Sequence, residues 1–454
     1  MILYFIIIFL CVGFQAERGV FDFLSYLRLF KQLKKSSLEN TTLSKQSLYI
    51  LIPVLREQLI IEEAILKFSK IQNSSFDIKI AILTSIREKS EKEIAGNPTT
   101  EEIITESIKS GKLSPYKDRI YIFQDSNKHG NMATQLNFAI SQIKSFADSN
   151  TFYMVYNADS IINETTFIRL GELLHRYPNE EFAFQQPCAF VKDMHPNSNQ
   201  FTNAMSLYQS WYCLGHESRI IHNYSVNFEK RFKRENNKNL GVVVGHGSGM
   251  TFNINTNNGG YPGDLLTEDL TFGFILSARN IPIMSLPALE IADVPNHFLM
   301  FIKQKSIWFW NFLGYSSCYR KMRKQGHSRY QLIPLLIEGI GAGAYWFFDT
   351  IFILVPFILG IILKSYPITI LAIFSFIIFY ITPLYFLKIK LPNVLKQQNF
   401  SEYAENVRNT SFIKLLPFLC LIILTNSVGA WIATFKSIRY FFTGKLPVKY
   451  KTGD

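Results

Sequence analysis

The chain has 454 residues, of which 48% are hydrophobic and 18% are charged. So large an apolar fraction excludes an intrinsically disordered chain, and the length allows two or three domains. The 47 Lys and Arg residues outnumber the 35 Asp and Glu residues, and the net charge of +12 suits anionic lipids, nucleotides or nucleic acid without choosing among them. The five cysteines show no CxxC spacing, which disfavours a zinc site and a disulfide framework.

The first 16 residues predict an uncleaved membrane anchor. Met1–Phe14 is apolar but lacks the basic residues that precede the apolar core of a signal peptide. Segment 17–45 is basic, and the positive-inside tendency places it in the cytoplasm. We therefore predict an integral protein of the inner or plasma membrane whose polar middle is cytoplasmic.

The polar middle, 46–300, alternates strand-like and helix-like runs, which predicts a parallel α/β domain. Segment 90–118 interrupts this alternation and is interpreted as a surface insertion. It contains a capping box, Thr99-x-x-Glu102, which predicts the start of a helix. The predicted strands are 47–55, 76–84, 119–123 and 152–156, and the predicted helices between them are 57–71 and 135–146. Ligands of such sheets bind at the carboxyl ends of the strands, so the polar residues there are the candidates for a site.

Asn157 and Asp159 directly follow the strand at 152–156. Their alternation places both side chains on one side of an extended chain. A carboxylate and an amide oxygen suit Mg²⁺ or Mn²⁺ bridging a diphosphate, with phosphate and water completing the metal's shell. The same pattern also fits a turn in which Asn or Asp caps the following helix.

A glycine-rich region comes next and ends at a helix start. Gly247 and Ser248 lie in a G-H-G-S-G run, and dense glycine lets the backbone approach a ligand closely. Glu268 and Asp269 precede a helix-like run at 270–279, where a carboxylate serves either as a cap or as a base that takes a proton from an acceptor hydroxyl.

Segment 301–332 predicts interfacial helices. Gln304 and Trp308 are one helical turn apart and share a face. Trp308 suits a platform for a sugar ring, or equally an aromatic belt at the membrane interface.

The last part, 333–454, predicts membrane helices followed by a basic tail. The run from 365 to 387 has no charged residue and is long enough to cross a hydrocarbon core of roughly 30 Å. The run from 415 to 435 is similar, with a bend expected at Pro417 or at Asn426-Ser427. In the run from 333 to 363, Glu338 and Asp349 lie either near the lipid surface or at a functional site within the membrane. These patterns predict three or four membrane helices in the whole chain.

Taken in this order, the motifs resemble those of membrane-embedded family 2 glycosyltransferases, relatives of cellulose and hyaluronan synthases, over about residues 46 to 312. The sequence departs from the family pattern in four places. Asn157 replaces the first Asp of D-x-D, Ile307 replaces an Arg, and no Asp ends the second strand. In the segment similar to G-K-A-x-x-L-N, Asn131 replaces the Lys and one extra residue is present. The matching segments are Pro53–Glu57 for the strand, proline and acid step, Gly130–Asn137 for G-K-A-x-x-L-N, Asn157–Asp159 for D-x-D, Thr267–Asp269 for T-E-D, and Gln304–Trp308 for Q-x-x-R-W.

The resemblance implies a GT-A (Rossmann-like) cytosolic domain between N-terminal and C-terminal membrane helices. It implies an inverting, metal-dependent hexosyltransferase of polysaccharide biosynthesis, which takes a nucleotide sugar as donor and a glycan or lipid-linked acceptor. The implied residues are Asp269 with Glu268 for catalysis; Pro53, Glu57, Glu88, Asn157 and Asp159 for the donor; Asp159 and Asn157 for Mg²⁺ or Mn²⁺; and Gly247, Ser248, Gln304 and Trp308 for the acceptor.

The departures at Asn157 and Ile307 leave one alternative open. A relative without activity would bind glycan or serve as a scaffold subunit of a polysaccharide synthase complex in the membrane. A nucleic-acid partner is disfavoured, because the basic cluster at 230–234 lies in an Asn-rich loop without interleaved aromatic residues.

Overall fold

The computed structural model describes a chain that packs as two compact units. The α/β unit comprises the described residues of Ser36–Pro187 and Tyr224–Ala292, and the helical unit comprises those of Met1–Lys35, Cys188–Asn223 and Asp293–Asp454. Segment 188–221, which lies within the predicted 46–300 domain, thus packs with the helical unit. The described residues are 2–34, 45–89, 98–127, 130–148, 150–177, 182–221, 248–253, 260–263, 269–281 and 283–443, with side chains as far as 439.

The described strands are β1 (Gln46–Pro53), β2 (Phe76–Ser85), β3 (Ile120–Asp125), β4 (Phe152–Val155), β5 (Ala183–Gln185), β6 (Cys188–Ala189), β7 (Met250–Asn253), β8 (Ile283–Ser285) and β9 (Glu290–Ile291). The α/β unit is built on a sheet in which seven of them have the order β3-β2-β1-β4-β7-β5-β8. Strands β1 to β4 are parallel to one another, whereas β7 runs antiparallel to both of its neighbours. The α/β prediction is therefore confirmed.

The strands form where they do because their apolar runs are continuous rather than alternating. Leu48 to Ile52 in β1 are all at most 2% exposed, as expected for a parallel strand covered on both faces. Helices Ile61–Ser69 and Glu164–Arg176 contribute apolar faces to the same core. The other helices of this unit are Thr100–Lys109, Met132–Lys144 and Asp269–Ala278, with a 3₁₀ turn at Ser114–Arg119.

The predicted capping box is confirmed at the start of Thr100–Lys109. The Thr99 hydroxyl accepts a hydrogen bond from the Glu102 backbone N–H, and the Glu102 carboxylate accepts one from the Thr99 backbone N–H at 2.8 Å. Two of the N–H groups that a helix start leaves without intrahelical partners are satisfied in this way.

The helical unit contains, among its described residues, four helical segments long and apolar enough to cross a membrane: Ile2–Lys34, Arg329–Ile362, Tyr366–Gln397 and Phe412–Arg439. The first is one continuous helix through the predicted anchor and most of the basic segment. The individual helices of the unit are Ile2–Lys34, Gln200–Trp211, Phe298–Lys324, Arg329–Ile362, Tyr366–Phe376, Thr382–Gln397, Ser401–Asn409, Phe412–Leu424 and Val428–Thr443, with π-helical turns at Tyr212–Glu217 and Ile377–Ile381.

Asp349 lies at the centre of a buried polar cluster inside this unit, whereas Glu338 is exposed. One oxygen of Asp349 pairs with the Arg18 guanidinium at 2.6 Å and accepts from the Asn426 amide at 3.1 Å. The other oxygen accepts from the Tyr380 hydroxyl at 2.9 Å. Side chains from three other helical segments therefore converge on one buried carboxylate.

Candidate functional site

The loop after β4 presents the two predicted metal ligands to solvent. Asn157 is exposed and Asp159 is partly exposed. Tyr156, which precedes them, and Ala158, which lies between them, are buried. The Ser160 N–H donates to the Asn157 carbonyl at 3.2 Å, which closes a tight turn around Asp159. Both polar side chains reach solvent, but the chain turns here instead of continuing as the extended segment expected from the sequence.

These two side chains offer one carboxylate and one amide oxygen. Among the described residues, no group of three His, Cys, Asp or Glu side chains could hold a metal ion. Mg²⁺ in nucleotide sites is held by one or two carboxylates together with substrate phosphates and water. The pair therefore fits a divalent ion whose remaining ligands come from a diphosphate.

A buried carboxylate ties this loop to Ser248. Glu290 is fully buried, and its Oε1 accepts hydrogen bonds from the Ser160 hydroxyl at 2.6 Å and from the Ser248 hydroxyl. The two hydroxyl oxygens are 3.1 Å apart. Ser248, predicted as an acceptor residue, is therefore buried and packed directly behind the loop that carries Asp159.

Gly249 is required by this arrangement. Its φ is +72°, and a Cβ there would lie 2.8 Å from the Gln186 Cβ and 2.9 Å from Glu290 Oε2. Its backbone N–H donates to the Val155 carbonyl at the end of β4, at 2.8 Å. A larger residue would be strained in φ and would push against the carboxylate.

The start of the Met132–Lys144 helix lies over the carboxyl ends of β1 and β2. The Gln135 amide donates to the carbonyls of Val54 and Leu83, both at 3.0 Å. The Thr134 hydroxyl donates to Asp125, the last residue of β3, at 2.7 Å. The start of this helix is thus fixed at the edge of the sheet where ligands of parallel sheets bind.

The same helix start also holds a second glycine-containing segment, Gly260-Tyr261-Pro262-Gly263. The Asn137 side chain accepts from the Tyr261 N–H at 2.7 Å and donates to the Tyr261 carbonyl at 2.9 Å. Asn131 donates to the Gly263 carbonyl at 3.1 Å. Gly260, at φ +68°, leaves no room for a Cβ, which would lie 2.7 Å from the side-chain oxygen Oδ1 of Asn137.

Three predicted donor residues lie at the ends of β1 and β2. Pro53 ends β1 beside Leu83, and the Glu57 carbonyl accepts from the N–H of Ile61 at the start of the next helix. Glu88 is buried, and its carboxylate accepts from the Arg56 N–H and from the N–H and hydroxyl of Thr100. Glu88 therefore joins the loop after β1 to the inserted helix, and its role toward a nucleotide base stays a prediction.

Asp269 is the first residue of the Asp269–Ala278 helix and is partly exposed. Its Oδ1 accepts from the N–H of Leu270, at 2.8 Å. This position at a helix start is the one predicted from the sequence, and it is compatible with both the cap and the base. Glu268 and Gly247 lie outside the described residues.

Gln304 and Trp308 belong to the helical unit and lie one turn apart on Phe298–Lys324, as predicted. Gln304 accepts from the Gln209 amide at 3.1 Å. The Lys305 ammonium lies 4.2 Å from the centroid of the Trp308 ring, which itself packs beside the buried cluster of Phe309. One face of the Trp308 ring, which the sequence suggested as a stacking surface for a sugar, is therefore in contact with Lys305.

Two carboxylates that position this region were not singled out from the sequence. Asp125 ends the run R-I-Y-I-F-Q-D, so continuing the strand by two residues would have found it. Glu290 is the single acid of the apolar run L-P-A-L-E-I-A, and an acid in such a run signals a buried polar contact.

No protein-family model matches the chain, and no curated protein matches it in sequence. Among solved structures it is similar to a mannosyltransferase, PcManGT from Pyrobaculum calidifontis, in complex with GDP-Man and Mn²⁺, with 12% identity, a TM-score of 0.42, and coverage of 90% of this chain and 99% of that one. It is also similar to S. aureus TarS 1-349 in complex with UDP-GlcNAc, with 13% identity, a TM-score of 0.34, and coverage of 90% and 98%. Likenesses of this size do not assign the chain to a family.

Proposed function

We propose that the chain is a membrane-bound glycosyltransferase of the GT-A type that moves a sugar from a nucleotide-diphosphate donor to a glycan or lipid-linked acceptor. The observation that carries the proposal is the polar edge of the parallel strands. There, Asp159 and Asn157 face solvent, the Met132–Lys144 helix is anchored over β1 and β2, and Ser248 packs behind the Asp159 loop. Asp269, likewise partly exposed, supplies the second carboxylate.

The proposed chemistry is an inverting displacement of the family 2 hexosyltransferase kind. The acceptor hydroxyl oxygen attacks the anomeric carbon, the bond from that carbon to the diphosphate oxygen breaks, and Asp269 takes the hydroxyl proton as general base. Glu268 orients this neighbourhood, while Gly247, Gln304 and Trp308 contact the acceptor. A Mg²⁺ or Mn²⁺ ion held by Asp159 and Asn157 would supply charge that offsets the diphosphate.

In the cell, we place this reaction on the cytoplasmic side of the inner or plasma membrane, in envelope or extracellular polysaccharide synthesis. The basic residues at the end of Ile2–Lys34 support this orientation under the positive-inside tendency. Pro53, Glu57 and Glu88 complete the donor side, since all three lie at or near the carboxyl ends of β1 and β2.

The first experiment is a donor screen with the detergent-solubilised chain, scored by release of nucleoside diphosphate from a panel of UDP- and GDP-sugars. In the presence of the active donor, Asp269→Asn is expected to lower transfer by about 10² to 10⁴-fold, because the amide cannot take the hydroxyl proton. Donor affinity, measured by calorimetry, should change little. Asp118→Asn, an exposed acid of the same unit, is the matched control and should keep full activity.

Two outcomes would contradict the proposal. Normal transfer by Asp269→Asn would remove that residue from the base role. Donor binding without nucleotide release, across the whole panel, would favour the second candidate function, a glycan-binding or scaffold subunit of a synthase complex. That alternative is motivated by two positions. Asn157 stands where the D-x-D pattern has a carboxylate that binds the metal, and Ile307 stands where the Q-x-x-R-W pattern has a cationic Arg.

A further inference from the structure

One stretch of the helical unit carries basic residues and no acid. Between Asp293 and Glu338 the sequence contains no Asp or Glu. Most of the cations of this stretch cluster where the Phe298–Lys324 helix ends and Arg329–Ile362 begins. We call this cluster the basic turn; its members are Arg320, Lys321, Arg323, Lys324 and Arg329.

The basic turn is well ordered by backbone hydrogen bonds. Gly326 adopts φ +92° and its N–H donates to the Arg323 carbonyl at 3.1 Å, while the His327 N–H donates to the Met322 carbonyl. The Arg323 guanidinium donates to the His327 carbonyl. Arg320, Lys324 and Arg329 are exposed, so the turn presents a cationic surface to whatever lies outside it.

An exposed apolar stripe begins directly after this turn. Ile333, Ile337 and Ile340 are 42%, 65% and 52% exposed, and their spacing of four and three residues places them on one face of the helix. The opposite face is buried, with Leu332 and Leu335 at most 1% exposed. An outward apolar stripe on a helix long enough to cross a membrane is the surface that hydrocarbon covers.

We propose that the basic turn binds the anionic headgroups of the lipid layer that the Arg329–Ile362 helix enters. Headgroup phosphates lie at the depth where an apolar lipid-facing stripe ends. Basic clusters next to a membrane helix gain affinity from each cation near an anionic surface. The absence of any acid in the sequence from 294 to 337 leaves that attraction without opposing charge along the chain. This inference rests on the proposed membrane location and is independent of sugar transfer.

The test titrates the purified full-length chain in neutral detergent with phosphatidylglycerol and, separately, with phosphatidylcholine. Bound lipid is counted by native mass spectrometry, and the shift in Tm is followed in parallel. The wild-type chain is expected to bind phosphatidylglycerol at least ten-fold more tightly than phosphatidylcholine, with a preference that weakens in 0.5 M NaCl. The triple variant Arg320→Gln, Lys321→Gln, Lys324→Gln should lose that preference.

Matched variants separate this site from overall charge. Lys70→Gln, Lys109→Gln and Lys117→Gln together remove the same three charges from exposed positions of the α/β unit and should leave the preference intact. Arg320→Lys, Lys321→Arg and Lys324→Arg keep the charge and should also retain it. No sugar substrate is present, so a failed transferase proposal would not alter these readings.

Three results would overturn the inference. One is equal binding of the two lipids by the wild-type chain, and another is an undiminished preference in the Gln variant. The third is displacement of phosphatidylglycerol by millimolar inorganic phosphate or nucleoside diphosphate, since the basic turn would then be a site for soluble phosphates.

Discussion

Lys305 shows how a single residue of the helical unit departs from ordinary lysine chemistry. It is 1% exposed, and its ammonium lies within 6.0 Å of the ring centroids of Tyr208, Tyr212, Phe301, Trp308 and Trp346. Burial lowers the pKa of Lys305 to about 7, and the charge of Glu217 opposes that shift. Aromatic faces attract a cation, but here they replace too little of the hydration that burial removes.

This depressed pKa predicts how stability changes with pH. Between pH 7 and about 10, the unfolded chain holds a proton on Lys305 that the folded chain does not, so this residue makes stability rise with pH by roughly 1.4 kcal/mol per unit. Lys305→Met should be more stable than wild type near pH 7, and its advantage should shrink toward pH 10. The measurement is thermal unfolding of both proteins across that range in neutral detergent.

The exposed residue Lys324, on the same helix, provides the control for Lys305. Lys324→Met should leave the pH profile of the wild-type chain unchanged, because that side chain is solvated in both states. An identical pH profile for wild type and Lys305→Met would show that Lys305 stays protonated in the folded chain up to its ordinary pKa.

At the scale of whole helices, the predicted bend at Asn426-Ser427 is a break between two helices, Phe412–Leu424 and Val428–Thr443. The Ser427 hydroxyl donates to the Trp346 carbonyl at 2.7 Å and accepts from the Thr350 N–H at 3.0 Å. These are the two groups that would otherwise close one turn of the Arg329–Ile362 helix. The break thus joins two helices by inserting a side chain into the backbone ladder of one of them.

The Asn426 amide, in the same break, donates a hydrogen bond to Asp349, which also pairs with Arg18. This buried ion pair predicts how a substitution of Asp349 changes the stability of the helical unit. Asp349→Asn removes the 2.6 Å counter-charge of the buried Arg18 guanidinium and leaves it paired only with Asp22, at 3.7 Å. Loss of one partner of a buried ion pair costs about 3 to 5 kcal/mol, and the remaining Asp22 places the cost at or below the lower end of that range. We expect a marked fall in the Tm of the solubilised chain. The double variant Arg18→Met, Asp349→Leu should fall less than Asp349→Asn, because it removes both charges together.

The control for this pair is Glu338→Gln, which changes an exposed acid of the same helix and should move the Tm little. If the double variant is at least as destabilised as Asp349→Asn, the cost comes from lost packing and hydrogen bonds, not from an uncompensated charge.

For the whole molecule, local sequence patterns predicted the elements, and tertiary packing determined the rest. Strands β1 and β2, the Thr99 capping box and the break at Asn426 each follow from a run of a few residues, so the sequence predicted them. The packing of segment 188–221 with the helical unit depends on contacts with distant residues, as does the role of Glu290 behind Asp159. No local sequence pattern predicts which of several buried polar residues will contact one another in the fold.

Both units are built from chain segments on either side of residue 238, which predicts that cutting the chain there will not separate its two parts. Strands β4 and β5 precede that point, β7 and β8 follow it, and all four belong to one sheet. Arg18 and Asp349 likewise come from opposite sides and pair in the helical unit. A protease site inserted between Lys238 and Asn239 should therefore yield two pieces that co-elute in mild detergent and separate in denaturant.

The same site inserted between Lys445 and Leu446 is the control for the cut, since it should release a short tail under native conditions. Separation of the two large pieces without denaturant would show that the sheet pairing of β4 with β7 and the buried ion pair do not suffice to hold the molecule together. Co-elution would show that contacts between the two pieces, such as the pairing of β4 with β7 and of Arg18 with Asp349, hold them together after the chain is cut.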